Sequence, residues 1–60
     1  MRETVLMKGE METVVIVTTK AGTEVLDGED ELLESYPEDR HEEILARYVA
    51  KGWEIEEDGP

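Results

Sequence analysis

Two runs of β-forming residues on either side of one glycine constrain this chain more than any other feature of its sequence. Residues 3–8 and 11–19 are rich in Val, Ile and Thr, and Gly9-Glu10 lies between them. Glycine at the first position of a two-residue connection adopts the positive φ that a type II′ turn requires. The pattern therefore predicts an antiparallel β-hairpin at the start of the chain.

The register of this hairpin determines which side chains share a face of the sheet, because neighbouring side chains on a strand point to opposite sides. A turn made of Gly9 and Glu10 alone pairs Val5 with Val14. The set turned toward the core would then be Val5, Met7, Val14 and Ile16, and the opposite face would carry Leu6, Met11, Val15 and Val17.

A short third strand is expected at residues 23–26, after a turn at Lys20-Ala21-Gly22. Gly22 is free to adopt the positive φ that such turns often need. The sequence leaves open whether this loop contains two or three residues, and the loop length decides whether Val25 or Leu26 faces the core.

Helical signals begin at Asp27, which is followed by the acidic residues Glu29 and Asp30. An N-cap residue followed by negative charge suits the positive end of a helix dipole. We therefore expect a short first helix here, with Leu32 and Leu33 as its apolar anchors.

A second helix is the clearest element of the sequence. Ser35 and Glu38 have the spacing of a capping box, and Pro37 is tolerated in a first helical turn. Apolar side chains recur at helical spacing as far as about Lys51, and Gly52 is suited to end the helix in a left-handed conformation. The helical stripe consists of His41, Ile44, Leu45, Tyr48 and Val49.

These elements predict a single α+β domain over residues 1–56 and a polar tail at 57–60. Trp53 is expected to pack against Tyr48 and to begin a final strand at 53–56. The predicted order is β-β-β-α-α-β, in a small, mostly antiparallel sheet with both helices on one face. The expected core is Val5, Val14, Ile16, Leu32, Leu33, Ile44, Leu45, Tyr48, Trp53 and Ile55.

Negative charge dominates the composition, since 17 Asp and Glu against six Lys and Arg give a net charge of −11. Binding to a nucleic-acid backbone or an anionic membrane needs a basic patch, and the cations here are scattered. Apolar runs are too short for a membrane span, the N-terminus lacks signal-peptide features, and the absence of cysteine excludes disulfides. We expect a soluble, cytoplasmic protein whose charge attracts a basic surface or only aids solubility.

No catalytic, metal or cofactor site is expected. The only histidine is His41, and the chain lacks Walker, Gly-rich phosphate-binding and nucleophile-elbow motifs. Glu34, Glu38 and His41 could approach one another at the start of the second helix, but a solvated acidic face is the stronger interpretation. The sequence therefore favours a non-enzymatic protein without a metal ion or cofactor.

Two functions of different classes remain. The apolar set Leu6, Met11, Val15 and Val17 would form an exposed patch that monomers usually avoid, which favours an interaction module that forms a homodimer or binds a basic partner. The alternative is an acidic inhibitor of the phage type, whose carboxylates mimic the phosphates of nucleic acid. Its acidic surface would be Glu29, Glu31, Glu34, Glu38, Glu42 and Glu43.

The charge yields a first testable prediction. We expect the thermal unfolding midpoint at neutral pH to rise with added NaCl, because salt screens the self-repulsion of a chain with net charge −11. Melts in low and moderate NaCl measure the effect, and a midpoint that stays constant or falls would mean that the carboxylates are already compensated locally.

Overall fold

A computed structural model describes residues 1–60 and shows one antiparallel sheet with a single helix on one face. The five strands lie side by side in the order β4-β3-β2-β1-β5. The element bounds are β1 Arg2–Lys8, β2 Glu12–Thr19, β3 Gly22–Asp27, β4 Leu32–Tyr36, α1 His41–Ala50 and β5 Glu54–Gly59.

The connection from β4 to β5 determines the architecture. Strands β1 to β4 follow one another as a meander, whereas β4 and β5 occupy opposite edges of the sheet. The chain must therefore cross the sheet between them, and α1 lies in this crossing. One helix covers one face, so the other face of the sheet carries no secondary-structure element of the chain.

The first hairpin has the predicted strands but a different register. Its turn comprises three residues, 9–11, with Gly9 at a φ of 66°. Leu6 pairs with Val14, and Val5 pairs with Val15. The additional turn residue shifts the register by one, which exchanges the two faces of β1 relative to our expectation. Leu6 therefore faces the helix, and Val5 faces the open side. The side chains of β2 face the sides that we predicted.

The turn between β2 and β3 resolves the alternative that the sequence left open. Thr19 pairs with Gly22, so the loop contains only Lys20 and Ala21. This register points Val25 into the core, where its side chain is fully buried.

The predicted first helix is wrong, because residues 32–36 form the edge strand β4 and the order of elements is β-β-β-β-α-β. The Asp27 side chain accepts backbone hydrogen bonds, as expected of a capping residue, but these bonds close a loop and do not begin a helix. The Asp27 carboxylate accepts hydrogen bonds from the backbone N–H groups of Glu29 and Glu31, at 2.8 and 2.9 Å. Asp30 adopts a positive φ of 64°, which a helix does not allow.

The second predicted helix begins five residues later than the capping box suggested. Its N-cap is Arg40, without a side-chain cap, and Ser35 belongs to β4. The predicted end is confirmed: Gly52 has a φ of 97°, and the Trp53 N–H donates to the carbonyl of Tyr48 at 3.1 Å. Trp53 packs against Tyr48 as expected, with the two rings edge to face and their centroids 5.4 Å apart.

The core lies between α1 and the three central strands. The prediction is confirmed for Val14, Ile16, Ile44 and Leu45, which are buried, and Tyr48 and Trp53 are partly buried against them. Leu6 and Val25 complete the core. The prediction is wrong for Val5, Leu32, Leu33 and Ile55, because register and edge positions leave these side chains partly or largely exposed.

The outer pairs of the sheet are less regular than the central ones. The register shifts between Val5 and Leu6 opposite β5, and between Val25 and Leu26 opposite β4. These bulges leave Glu56 and Leu33 without a direct cross-strand partner. Strand β5 continues to Gly59 and so includes most of the segment that we expected to be a polar tail.

Gly22 provides a test of this packing. It has a φ of 131°, and an added Cβ would overlap the Tyr36 carbonyl oxygen and lie 2.9 Å from the carbonyl carbon of Pro37. We expect Gly22→Ala to lower the free energy of unfolding by about 3 kcal/mol, because the backbone of β4 would have to move.

Gly9→Ala is the matched control. Gly9 also has a positive φ, but an added Cβ would meet no atom within 4 Å. Only the left-handed backbone is then penalised, at about 1 kcal/mol. Urea unfolding of both variants gives the comparison, and equal losses would contradict the close approach of Gly22 to β4.

Candidate functional site

The face of the sheet opposite α1 is the main candidate for a functional surface. Cross-strand pairing aligns Val5 with Val15, Val15 with Leu26, and Leu26 with Leu32, so four large apolar side chains cross β1 to β4 in one line. We call these four residues the apolar row. The three central members are partly buried by their neighbours, and Leu32 at the edge is 52% exposed.

Four carboxylates surround the apolar row, and we call them the acidic frame: Glu3, Glu24, Glu54 and Glu57. Val17, beside the row, pairs with Glu3 on one strand and with Glu24 on the other. Glu57 pairs with Val5, and Glu54 pairs with Met7. All four are exposed, and none forms a salt bridge.

The structure divides the apolar set that the sequence suggested for binding. Val15 and Val17 lie on the open face as expected. Leu6 is fully buried beneath α1, so its expected place on this face is wrong. Met11 lies in the first turn and is 93% exposed. Sequence reasoning missed Val5 and Leu26, which the alternation of side chains would have identified with the correct turn lengths. It also missed Leu32, because this residue was expected in a helix and not in β4.

Most of the predicted acidic surface is paired with arginine. Arg47 donates two 2.6 Å hydrogen bonds to Glu34, which lower the pKa of that carboxyl. Arg40 contacts Glu38 at 2.9 Å and Glu43 at 3.9 Å. Glu42 pairs with Arg2. Only Glu29 and Glu31, in the loop between β3 and β4, have no such partner.

His41 is the centre of a buried polar network between the first turn of α1 and the sheet. Its Nε2 lies 2.7 Å from the Thr4 hydroxyl, and its Nδ1 lies 2.8 Å from that of Thr18. Thr18 lies 2.9 Å from Thr23, and the Thr4 hydroxyl donates to Asp58 at 2.7 Å. The network therefore joins α1 to β1, β2, β3 and β5.

The carboxylate at one end of this network determines the direction of its hydrogen bonds. The ionised Asp58 can only accept, so the Thr4 hydroxyl gives its one proton to Asp58 and accepts from the Nε2–H group of His41. Burial lowers the pKa of His41 and favours the neutral ring, in which Nδ1 has no proton. Nδ1 then accepts from Thr18, and Thr18 accepts from Thr23, which also accepts from the Arg40 N–H at 2.9 Å.

The charges around the network reinforce this arrangement. Burial lowers the pKa of His41, and the nearby Arg2 guanidinium lowers it further, against the opposing effect of Asp58, Asp39 and Glu42. Hydrogen bonds from Arg2 and from Thr4 lower the pKa of Asp58 to about 2. In return, Asp58 and Glu42 raise the pKa of Arg2.

The proposed approach of Glu34, Glu38 and His41 is not found as a ligand set. Glu38 and Glu34 contact different arginines, and both ring nitrogens of His41 face threonine hydroxyls. No group of three histidine or acidic side chains is arranged to hold a metal ion. With ten residues, the single helix is too short to cross a membrane.

No protein-family model, curated protein or solved structure matches this chain.

The His41 network predicts a dependence of stability on pH. The unfolded chain takes up a proton near the ordinary histidine pKa of 6.5, whereas the folded chain does so only at lower pH. This contribution to stability is complete above pH 6.5, and it is lost as the pH falls toward the pKa of the folded state.

NMR titration of the His41 ring measures this pKa directly, because the chain has no other histidine. Urea unfolding of wild type and His41→Gln at pH values of about 7.5 and 5.5 separates the histidine from the carboxylates. We expect the wild type to lose more stability than the variant on acidification. A ring pKa at or above 6.5 would contradict the buried neutral imidazole.

Proposed function

We propose that this chain is a non-enzymatic interaction module that binds a basic protein partner through its open sheet face. The observation that carries the proposal is the apolar row within the acidic frame. Side chains that cross four strands without a covering element favour association, by about 25 cal/mol for each Å² of apolar surface buried. The carboxylates around them add a requirement for positive charge at the rim of the partner surface.

The acidic frame favours a basic partner over a second copy of the chain. In a face-to-face dimer, carboxylates such as Glu3 and Glu24 would approach those of the other copy without an intervening cation. Like charges at an interface oppose association, and the net charge of −11 adds a long-range repulsion. A basic surface with an apolar centre would instead compensate the frame and bury the row.

The arginine contacts of the predicted acidic surface bear on the alternative function, an inhibitor that mimics nucleic acid. Four of the six carboxylates that would mimic nucleic acid contact arginine, which reduces the negative potential of the helix surface.

The surroundings of the only histidine bear on a catalytic function. His41 is 2% exposed and has both nitrogens in hydrogen bonds, which does not suit a general base. The proposal places the interaction in the cytoplasm, where a chain without cysteine needs no oxidising environment.

A crosslinking experiment tests the proposed surface. A photoreactive residue at position 17 lies beside the apolar row, and it should capture a partner with a basic surface. Val15→Glu should then weaken binding of the purified partner about thirtyfold or more. The substitution places a charge between Val5 and Leu26, at the centre of the surface that the partner would bury.

Val49→Glu is the matched control, since it makes the same substitution at a 47% exposed side chain of α1, outside the open face. We expect its affinity to remain within about threefold of wild type, the range of surface substitutions away from a contact. Capture of only a second copy of the chain would contradict the basic partner. Equal affinities of the Val15→Glu and Val49→Glu variants would contradict the open face as the binding surface.

A further inference from the structure

A cleft of about 550 Å³ lies on the helix-bearing side of the molecule, away from the open face. The end of α1 forms one wall with Tyr48 and Trp53, and Leu33 of β4 adds an apolar side chain. The turns at the ends of β2 and β3 contribute Glu12, Asp27 and Glu29. The cleft thus combines aromatic rings with three carboxylates.

The aromatic wall has the chemistry that binds an organic cation. Tyr48 and Trp53 pack edge to face, with an interplanar angle of 88° and their ring centroids 5.4 Å apart. The guanidinium of Arg47 already lies 5.5 Å from the centroid of the Tyr48 ring. Trp53, whose indole attracts cations more strongly than a phenol does, has no such partner within the chain.

None of the three carboxylates of the cleft is bound by a cation of the chain. Glu12, Asp27 and Glu29 form no salt bridge, and no lysine or arginine lines the cleft. Asp27 is held in place by the backbone N–H groups that donate to one of its oxygens. An arginine or lysine side chain entering the cleft would meet fixed negative charge beside an apolar wall.

We propose that this cleft binds an arginine or lysine side chain of a basic peptide segment. Its aliphatic stem packs along Leu33 and Trp53, and its charged head lies among the carboxylates. The cleft also has room for the peptide backbone on either side of that residue. This site is separate from the open face, and substitutions in the apolar row leave it unchanged.

Trp53 is the only tryptophan of the chain and serves as the reporter. The probe is the peptide acetyl-Ala-Ala-Arg-Ala-Ala-amide, and its neutral counterpart carries citrulline in place of arginine. We expect the arginine peptide to change the Trp53 fluorescence and to bind about tenfold more tightly than the citrulline peptide at low salt. NMR shift changes should centre on the residues of the cleft.

Glu12→Gln/Glu29→Gln should abolish this preference for arginine, whereas Glu3→Gln/Glu24→Gln should retain it. Both double variants remove the same net charge from exposed positions, so the comparison separates the cleft from general attraction to an acidic protein. Equal binding by the two variants, or no preference over citrulline, would overturn the proposal. Equally tight binding of free N-acetyl-argininamide would overturn the peptide as the occupant.

Discussion

The hydrogen-bonded imidazole of His41 is the interaction on which the rest of the structure depends. Only six apolar side chains are buried, too few to specify by themselves how one short helix lies on five strands. The network of His41 with its threonines adds a contact that is specific in direction. No buried side-chain polar atom is left without a partner, so a helix shifted by one residue would leave several unsatisfied.

The same network explains why the two faces of the sheet differ so strongly. On the helix side, threonines replace aliphatic residues at one end of the sheet, because their hydroxyls are needed by His41 and Asp58. On the open side no polar network is required, and aliphatic residues fill the centre. An exposed apolar patch of this kind is the observation on which the proposed interaction rests.

The elements that local chemistry determines were predictable from the sequence, whereas those that depend on loop length or tertiary contacts were not. The end of α1 followed from Gly52, and the contact of Trp53 with Tyr48 followed from its position after that glycine. The register of β1 depended on whether Met11 belongs to the turn or to the strand, which neighbouring residues do not determine.

The misplaced first helix has a comparable cause. An aspartate that accepts backbone hydrogen bonds serves equally to cap a helix or to close a short loop, and Asp27 closes a loop. Residues 32–36 then pair with β3, because that edge of the sheet is open to another strand. This pairing depends on the whole sheet and not on the neighbouring residues. The open face was expected for Val15 and Val17, but its full composition required this strand and the corrected register.

The bulges at Leu33 and Glu56 have a consequence for how this protein behaves at high concentration. Both edges of an open sheet present free backbone groups to which strands of other molecules can add. The bulge at Glu56 interrupts β5 near its middle, and the bulge at Leu33 directly follows the first residue of β4, so each shortens the regular stretch that an incoming strand could follow. On β5, Glu54, Glu56 and Glu57 add repulsion between identical edges, which opposes edge-to-edge polymerisation through this strand.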